Sequence, residues 1–190
     1  MIKDIFPVQL YEKNLEHLLP LANKMFESAD FNNGYTTWFS EVRCPDIAES
    51  HTFKQEILRH TTDFAIMQGL DMRNFQAQMT SFGLWLNKMP EGQSHESHIH
   101  GGSQYSGTFY VNAPEGCANI RYHNPNRLMW KYNTYPIVRW DNSSTCDSID
   151  ETPEAGKLLL WNSWLEHEVL LNKSSTPRLS ISFNVDIVKK

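Results

Sequence analysis

Long apolar runs are missing from this 190-residue chain. No stretch approaches the roughly 18 consecutive apolar residues that a membrane-crossing helix needs, so no such helix is expected. Cysteine is scarce: Cys44, Cys117 and Cys146 are odd in number and have no paired spacing. That excludes a disulfide framework, and with no positively charged, apolar leader opening the sequence a reducing cytoplasm is the expected setting. An excess of basic charge is also lacking. The formal net charge is -5, which provides no electrostatic footprint for nucleic acid or an anionic membrane surface. Repeats and low-complexity tracts are absent, and the length suits one domain with a real core better than two.

Periodicity divides what is there into two parts. Ile5, Phe6, Val8 and Leu10 alternate loosely around Pro7 and predict an edge strand over residues 2–10. Leu15, Leu18, Leu19, Ala22, Met25 and Phe26 recur at helical spacing, predicting a helix over 12–28 that Pro20 would interrupt or kink. Turn chemistry without a period, Asn32-Asn33-Gly34 and Cys44-Pro45-Asp46, predicts a long loop over 29–50. Phe53, Ile57, Leu58, Phe64, Ala65 and Met67 predict a second helix ending near Gly69. Beyond it the period becomes two: Phe75, Ala77 and Met79 alternate with polar residues, and Leu84-Trp85-Leu86 continues the run. Further strands are predicted over 106–112, 119–123, 157–161 and 178–188, with a hairpin through Pro114-Glu115-Gly116 and a long excursion over 124–156. Helices first and many strands after indicate an α+β chain with a β-sandwich or barrel core.

The chemistry concentrates in Ser94 to Asn112, where His95, His98 and His100 fall within six residues beside a strand. In His98-x-His100 both side chains can point the same way from an extended backbone, because side chains repeat every two residues. One cation could take both. Imidazole suits Zn, Cu, Fe and Ni, so the pair does not name the metal. A third ligand must come from elsewhere, and His167 follows the apolar strand 157–161. His17, His51, His60 and His123 read as surface or hydrogen-bonded histidines, and Trp161 and Trp164 as wall and core aromatics. Trp130, Tyr132 and Tyr135 would form either a lid or ordinary packing. Arg178 alone could cap a strand or pair with Glu166 or Glu168.

Taken in order, His98-x-His100, Ser106-Gly107-Thr108-Phe109-Tyr110-Val111, Trp164-Leu165-Glu166-His167 and Arg178-Leu179-Ser180 resemble the iron(II)- and 2-oxoglutarate-dependent oxygenases over residues 75–187. The resemblance implies a double-stranded β-helix, or jelly roll, with N-terminal helices packed on one sheet. Residues 1–190 would form a single domain, 1–70 a helical support layer and 71–190 the core. It implies that His98 and His167 ligate Fe(II), with His100 where most of the superfamily has Asp. That departure removes one negative charge from the site, and His95 or Glu96 stand as alternative ligands. Arg178 and Ser180 would grip the distal carboxylate of 2-oxoglutarate, with Tyr110 completing the clamp, since a planar guanidinium can meet both carboxylate oxygens. The implied activity is a hydroxylase using 2-oxoglutarate and O2 on an unspecified substrate, and a homodimer is left open. Two other readings compete: a cupin-like three-histidine metalloenzyme without 2-oxoglutarate, and a non-catalytic jelly-roll binding protein.

Overall fold

The change of period near residue 70 separates two helices from a run of strands in the computed structural model, which describes residues 7–32, 34–128 and 146–190. The N-terminal strand expected over 2–10 starts later. Residues 2–6 lie outside the described residues, 7–10 have no regular structure, and β1 (Tyr11–Asn14) forms where a helix was expected. A short 3-10 turn then leads into helix α1 (Leu19–Ser28), with Pro20 in its first turn. The absent N–H of a proline is not needed there, so Pro20 begins the helix rather than kinking it. Helix α2 (Ala48–Met67) starts five residues before Phe53, with Ser50 accepting a hydrogen bond from the Ile47 N–H at 3.2 Å. It ends before Gly69, whose φ of +91° reverses the chain without steric strain.

The strands build two antiparallel sheets. The larger has the order β1, β7 (Lys157–Asn162), β4 (Tyr105–Asn112), β9 (Arg178–Lys189), β2 (Phe75–Met89). The smaller has the order β3 (His95–His98), β8 (His167–Val169), β5 (Ile120–His123), β6 (Ser148–Glu151). The hairpin expected between β4 and β5 does not form. Those strands belong to different sheets, so the turn at Pro114 carries the chain across the fold, as a jelly roll requires.

Strict alternation assigns two jobs to the larger sheet. Tyr105, Phe109, Val111, Leu158, Leu160, Ile181, Phe183 and Val185 face the helices and share a core with Ala22, Met25, Phe53, Ile57 and Phe64. Phe53 meets Phe109 edge-on at 5.3 Å, and Phe64 meets Tyr105 at 5.7 Å. Burying a side chain such as Phe53 contributes about 1.5–3 kcal/mol, and this layer packs the sheet against α2. The opposite face, with Tyr110, Leu159, Trp161, Arg178 and Ser180, looks inward between the sheets. One irregularity resets the alternation. In β2 the core-facing parity switches from Ala77 and Met79 to Leu84 and Leu86 across a bulge containing Gly83 at φ +59°. Gly107 is required for a different reason. A Cβ there would lie 2.4 Å from Phe183 Cζ and 2.7 Å from the Leu159 carbonyl oxygen.

Candidate metal centre

Three histidines meet where β3 and β8 lie side by side. His98 pairs with His167 in the register of the small sheet, and His100 follows just beyond the end of β3. One ring nitrogen from each of His98, His100 and His167 lies within 4.8 Å of the others, and His100 Nε2 is 3.3 Å from His167 Nε2. Among the described residues they are the one group of this kind. Neither alternative ligand joins them. The Glu96 side chain is exposed, and His95 stands to one side with its ring 4.3 Å from that of His98. His95, though exposed, borders the cavity on the same side as His98 because β3 bulges: three steps from His95 to His98 oppose two from Val169 to His167.

Hydrogen bonds orient the rings. His98 Nδ1 donates to the Glu96 carbonyl at 2.7 Å, and His167 Nδ1 donates to the Leu165 carbonyl at 2.9 Å. A carbonyl oxygen only accepts, so both rings carry their proton on Nδ1 and leave the Nε2 lone pair free for a cation. His100 is held through its backbone, its N–H donating to the Ser163 carbonyl at 3.0 Å and its carbonyl accepting from Ser103 Oγ at 3.3 Å. A chain, half-buried at Ser103 and buried beyond that residue, continues behind it, Ser103 Oγ to Ser163 Oγ at 2.9 Å, Ser163 to Ser106 at 2.7 Å and Ser106 to Asn184 Oδ1 at 2.9 Å. Burial, followed by the neighbouring His98, lowers His100 to about 4 and His167 to about 3. Those two imidazoles are therefore neutral near pH 7, the form that ligates a metal.

The histidines open on a cavity of about 470 Å³ between the sheets. Arg178 lies in its wall, 3% exposed, with Nη1 donating to the Ala118 carbonyl at 3.0 Å and the guanidinium 5.5 Å from the centre of the Tyr110 ring. It pairs with neither Glu166 nor Glu168. Glu166 bonds Arg127 and Ser97, while Glu168 faces Arg121 and His123. Arg178 Nε and the Tyr110 hydroxyl are buried without hydrogen-bond partners. Burial lowers the Arg178 pKa and raises Tyr110 to about 12, so the phenol stays protonated as a donor. Ser180, opposite Tyr110 in the β4/β9 register, lines the same wall. No Asp or Glu lines the cavity among the described residues.

The six residues expected from the sequence thus border one cavity. Trp161 is a buried wall residue, but Trp164 is 55% exposed and belongs to neither wall nor core. Trp130, Tyr132 and Tyr135 lie outside the described residues. Sequence reasoning missed the contribution of Tyr35, Trp38 and Phe39, because their loop has no period, and that of Trp85. Trp85 carried a signal, since it alternates with the core residues Leu84 and Leu86.

An antiparallel jelly roll with three histidines inside its mouth and a buried arginine beside them defines a metal-dependent class of β-barrel protein. A family model described as "Putative 2OG-Fe(II) oxygenase" matches residues 83–184, just over half of the chain, and the chain belongs to that family. The family uses Fe(II) and 2-oxoglutarate, and the donor set fits both, with imidazole lone pairs for the cation and an unpaired buried guanidinium for a carboxylate. The 2-oxoglutarate-free alternative is not favoured by this match. No curated protein sequence matches significantly. Among solved structures, the alpha-ketoglutarate-dependent epimerase SnoN from nogalamycin biosynthesis superposes with TM-score 0.63 at 11% identity, covering 96% of this chain and 79% of that one. A Pseudomonas putida prolyl-4-hydroxylase follows at TM-score 0.52 and 16% identity, covering 93% and 88%. A 2OG-Fe(II) oxygenase-family oxidoreductase from Burkholderia pseudomallei gives TM-score 0.53 at 15% identity, covering 75% of this chain and 60% of that protein's length. At such identities these likenesses carry the fold alone. No helix among the described residues is long and apolar enough to cross a membrane.

Proposed function

We propose that this chain is an Fe(II)- and 2-oxoglutarate-dependent hydroxylase, with His98, His100 and His167 holding the iron and Arg178, Ser180 and Tyr110 holding the co-substrate. The observation that carries this reading is Arg178, a guanidinium 3% exposed with no carboxylate against it, beside a buried phenol without a partner. A buried charge left unpaired is costly, so such an arrangement suits a site completed by an anion. The carboxylate would accept from the guanidinium and from the protonated Tyr110 hydroxyl, with Ser180 as a further donor. His98 and His167, fixed by their Nδ1 bonds, would present Nε2 without reorganisation, and the serine chain would hold His100 in place. Iron, when bound, supplies oxygen chemistry in which the 2-oxo acid becomes succinate and CO2 while a substrate C–H bond is hydroxylated. Apolar walls from Ile120, Trp161 and Val169 would exclude water from the bound carboxylate and strengthen its bonds. Helices and large sheet share one core, which supports reading residues 1–190 as a single unit. The three cysteines are free, which suits a reducing cytoplasm.

The test is titration of 2-oxoglutarate into iron(II)-loaded protein under nitrogen, following the metal-to-ligand charge-transfer band. Wild type is expected to saturate, and Arg178→Ala to bind about thirty-fold more weakly or worse. No band in the wild type would overturn the reading, and equal affinities would remove Arg178 from the site.

A further inference from the structure

We infer that the primary substrate is a small, uncharged aromatic molecule, received on a wall formed by Tyr35, Trp38, Phe39, Trp85 and Ile99. This rests on the oxygenase reading and names what the same cavity takes beside the co-substrate. The wall is built before any substrate arrives. The loop carrying Tyr35 to Phe39 is stitched to β2: Thr37 N–H donates to the Leu86 carbonyl at 2.9 Å, Leu86 N–H donates to Thr37 Oγ1 at 2.9 Å, and Lys88 N–H donates to the Tyr35 carbonyl at 2.7 Å. Thr36 bridges Asn87 between these bonds. Loops without a period are ordinarily free to move; this one is tied to β2 on either side of Thr36, at Tyr35 and Thr37, and a pre-ordered wall loses little entropy on binding.

The stitching sets an aromatic path from the mouth to the metal site. Trp38 meets Trp85 edge-on at 4.6 Å, and Trp85 stacks with His100 at 6.0 Å. Outside it, Phe39 is 87% exposed and Ile99 55% exposed, yet both line the cavity. Neither contributes to the core, so their apolar surface is left for something entering the mouth. Charge narrows the class. The described lining holds no Asp, Glu or Lys, and its one guanidinium, Arg178, lies with Tyr110 in the co-substrate wall. Arg43, outside the lining, has its guanidinium 4.9 Å from the centre of the Trp38 ring; within the described lining a cationic or anionic substrate would lose hydration without gaining a counter-charge, whereas a neutral ring gains stacking area at no such penalty. A cavity of about 470 Å³ lies in the range that small molecules occupy.

Three probes with one ring system separate charge from shape: indole, tryptamine and indole-3-acetate. Each is titrated by calorimetry under nitrogen into iron(II)-loaded protein with 2-oxoglutarate present. Indole is expected to bind about tenfold or more tighter than either charged relative. Phe39→Asp is expected to weaken indole about tenfold, and Phe39→Leu about threefold, because the apolar surface survives but the ring face is lost. Equal or tighter binding of tryptamine or indole-3-acetate, no binding of any probe, or indole affinity unchanged in Phe39→Asp would each overturn the inference. The charge-transfer band formed by 2-oxoglutarate in the same samples reports on the oxygenase reading separately. A band without an indole response sinks the substrate class alone, and absence of the band sinks the parent reading. Should Phe39→Asp also lose the band, Phe39→Leu decides: unchanged indole affinity in a variant that keeps the band counts against stacking on Phe39.

Discussion

Replacing Arg178 with Met separates a structural arginine from one held for a ligand. In the ligand-free protein the guanidinium is 3% exposed, donates one hydrogen bond to Ala118, and leaves Nε without a partner. Arg178→Met removes a desolvation penalty of several kcal/mol. It forfeits one charge-assisted hydrogen bond of about 1.5–3 kcal/mol and a ring contact with Tyr110 of about 0.5–2 kcal/mol. These terms nearly cancel. Methionine is unbranched and fills the channel left by the arginine stem. The variant is therefore expected within about 1 kcal/mol of wild type, a change in Tm of about 2–4 °C. Ligand linkage then distinguishes the two proteins. With iron(II) under nitrogen, 2-oxoglutarate at a hundred times its Kd stabilises wild type by about 2.7 kcal/mol. A thirty-fold loss of affinity reduces that to below about 1 kcal/mol at the same concentration. The assay is a pair of thermal melts, with and without 2-oxoglutarate, for each protein. A ligand-free variant destabilised by about 3 kcal/mol or more would mark Arg178 as structural, and an unchanged ligand shift would refute its role in the site.

Three further outcomes follow from the geometry. Ser163→Ala breaks the chain from Ser103 to Asn184 behind His100 and is expected to weaken iron(II) affinity about tenfold, read by chelator competition with an unchanged far-UV spectrum; unaltered affinity would make the chain ordinary packing. Gly107→Ala forces a Cβ to 2.7 Å from the Leu159 carbonyl and 2.4 Å from Phe183, so a urea melt is expected to lose about 3 kcal/mol, and an unchanged midpoint would show that β4 and β9 part easily. In the metal-free protein, burial keeps His100 at about 4 and His167 at about 3, against about 6.5 in an unfolded chain. Below about pH 6.5 the unfolded chain then binds protons that the folded one refuses, so stability falls as pH drops towards 4. Denaturation midpoints near pH 7 and near pH 5 should differ less in His167→Gln than in wild type, and equal differences would refute the assignment.

Much of the candidate site was legible because its residues sit on regular strands. Arg178 and Ser180 had to share a face opposite Ile181 and Phe183, and Tyr110 a face opposite Phe109. The helix stripe of Phe53, Ile57 and Phe64 was equally readable. Three features were not. Strand β1 lies among residues whose leucines suggested helix, because pairing with Leu158 to Leu160 outweighs local propensity there. The hairpin turn at Pro114 looks the same in sequence whether its strands pair or part into two sheets. Gly107 stood in the sequence only as one residue of the Ser106–Val111 motif, and what it does, admitting the ring of Phe183, depends on a strand seventy-six positions away.

Alternation along a strand and repetition along a helix are properties of the local backbone, and the sequence by itself therefore determined which side chains would share a face. It determined the spacing of His98 and His100 and the order of the motifs on the same grounds. Which strands lie side by side depends on burying both sheets at once, and only the tertiary structure decided that. It set His167 opposite His98 in register, placed His95 beside His98 through the β3 bulge, and brought the loop at Trp38 against Trp85 beside His100. Contacts between residues tens of positions apart leave no period in the sequence, because the closure that makes them is enforced by the whole core rather than by neighbours along the chain.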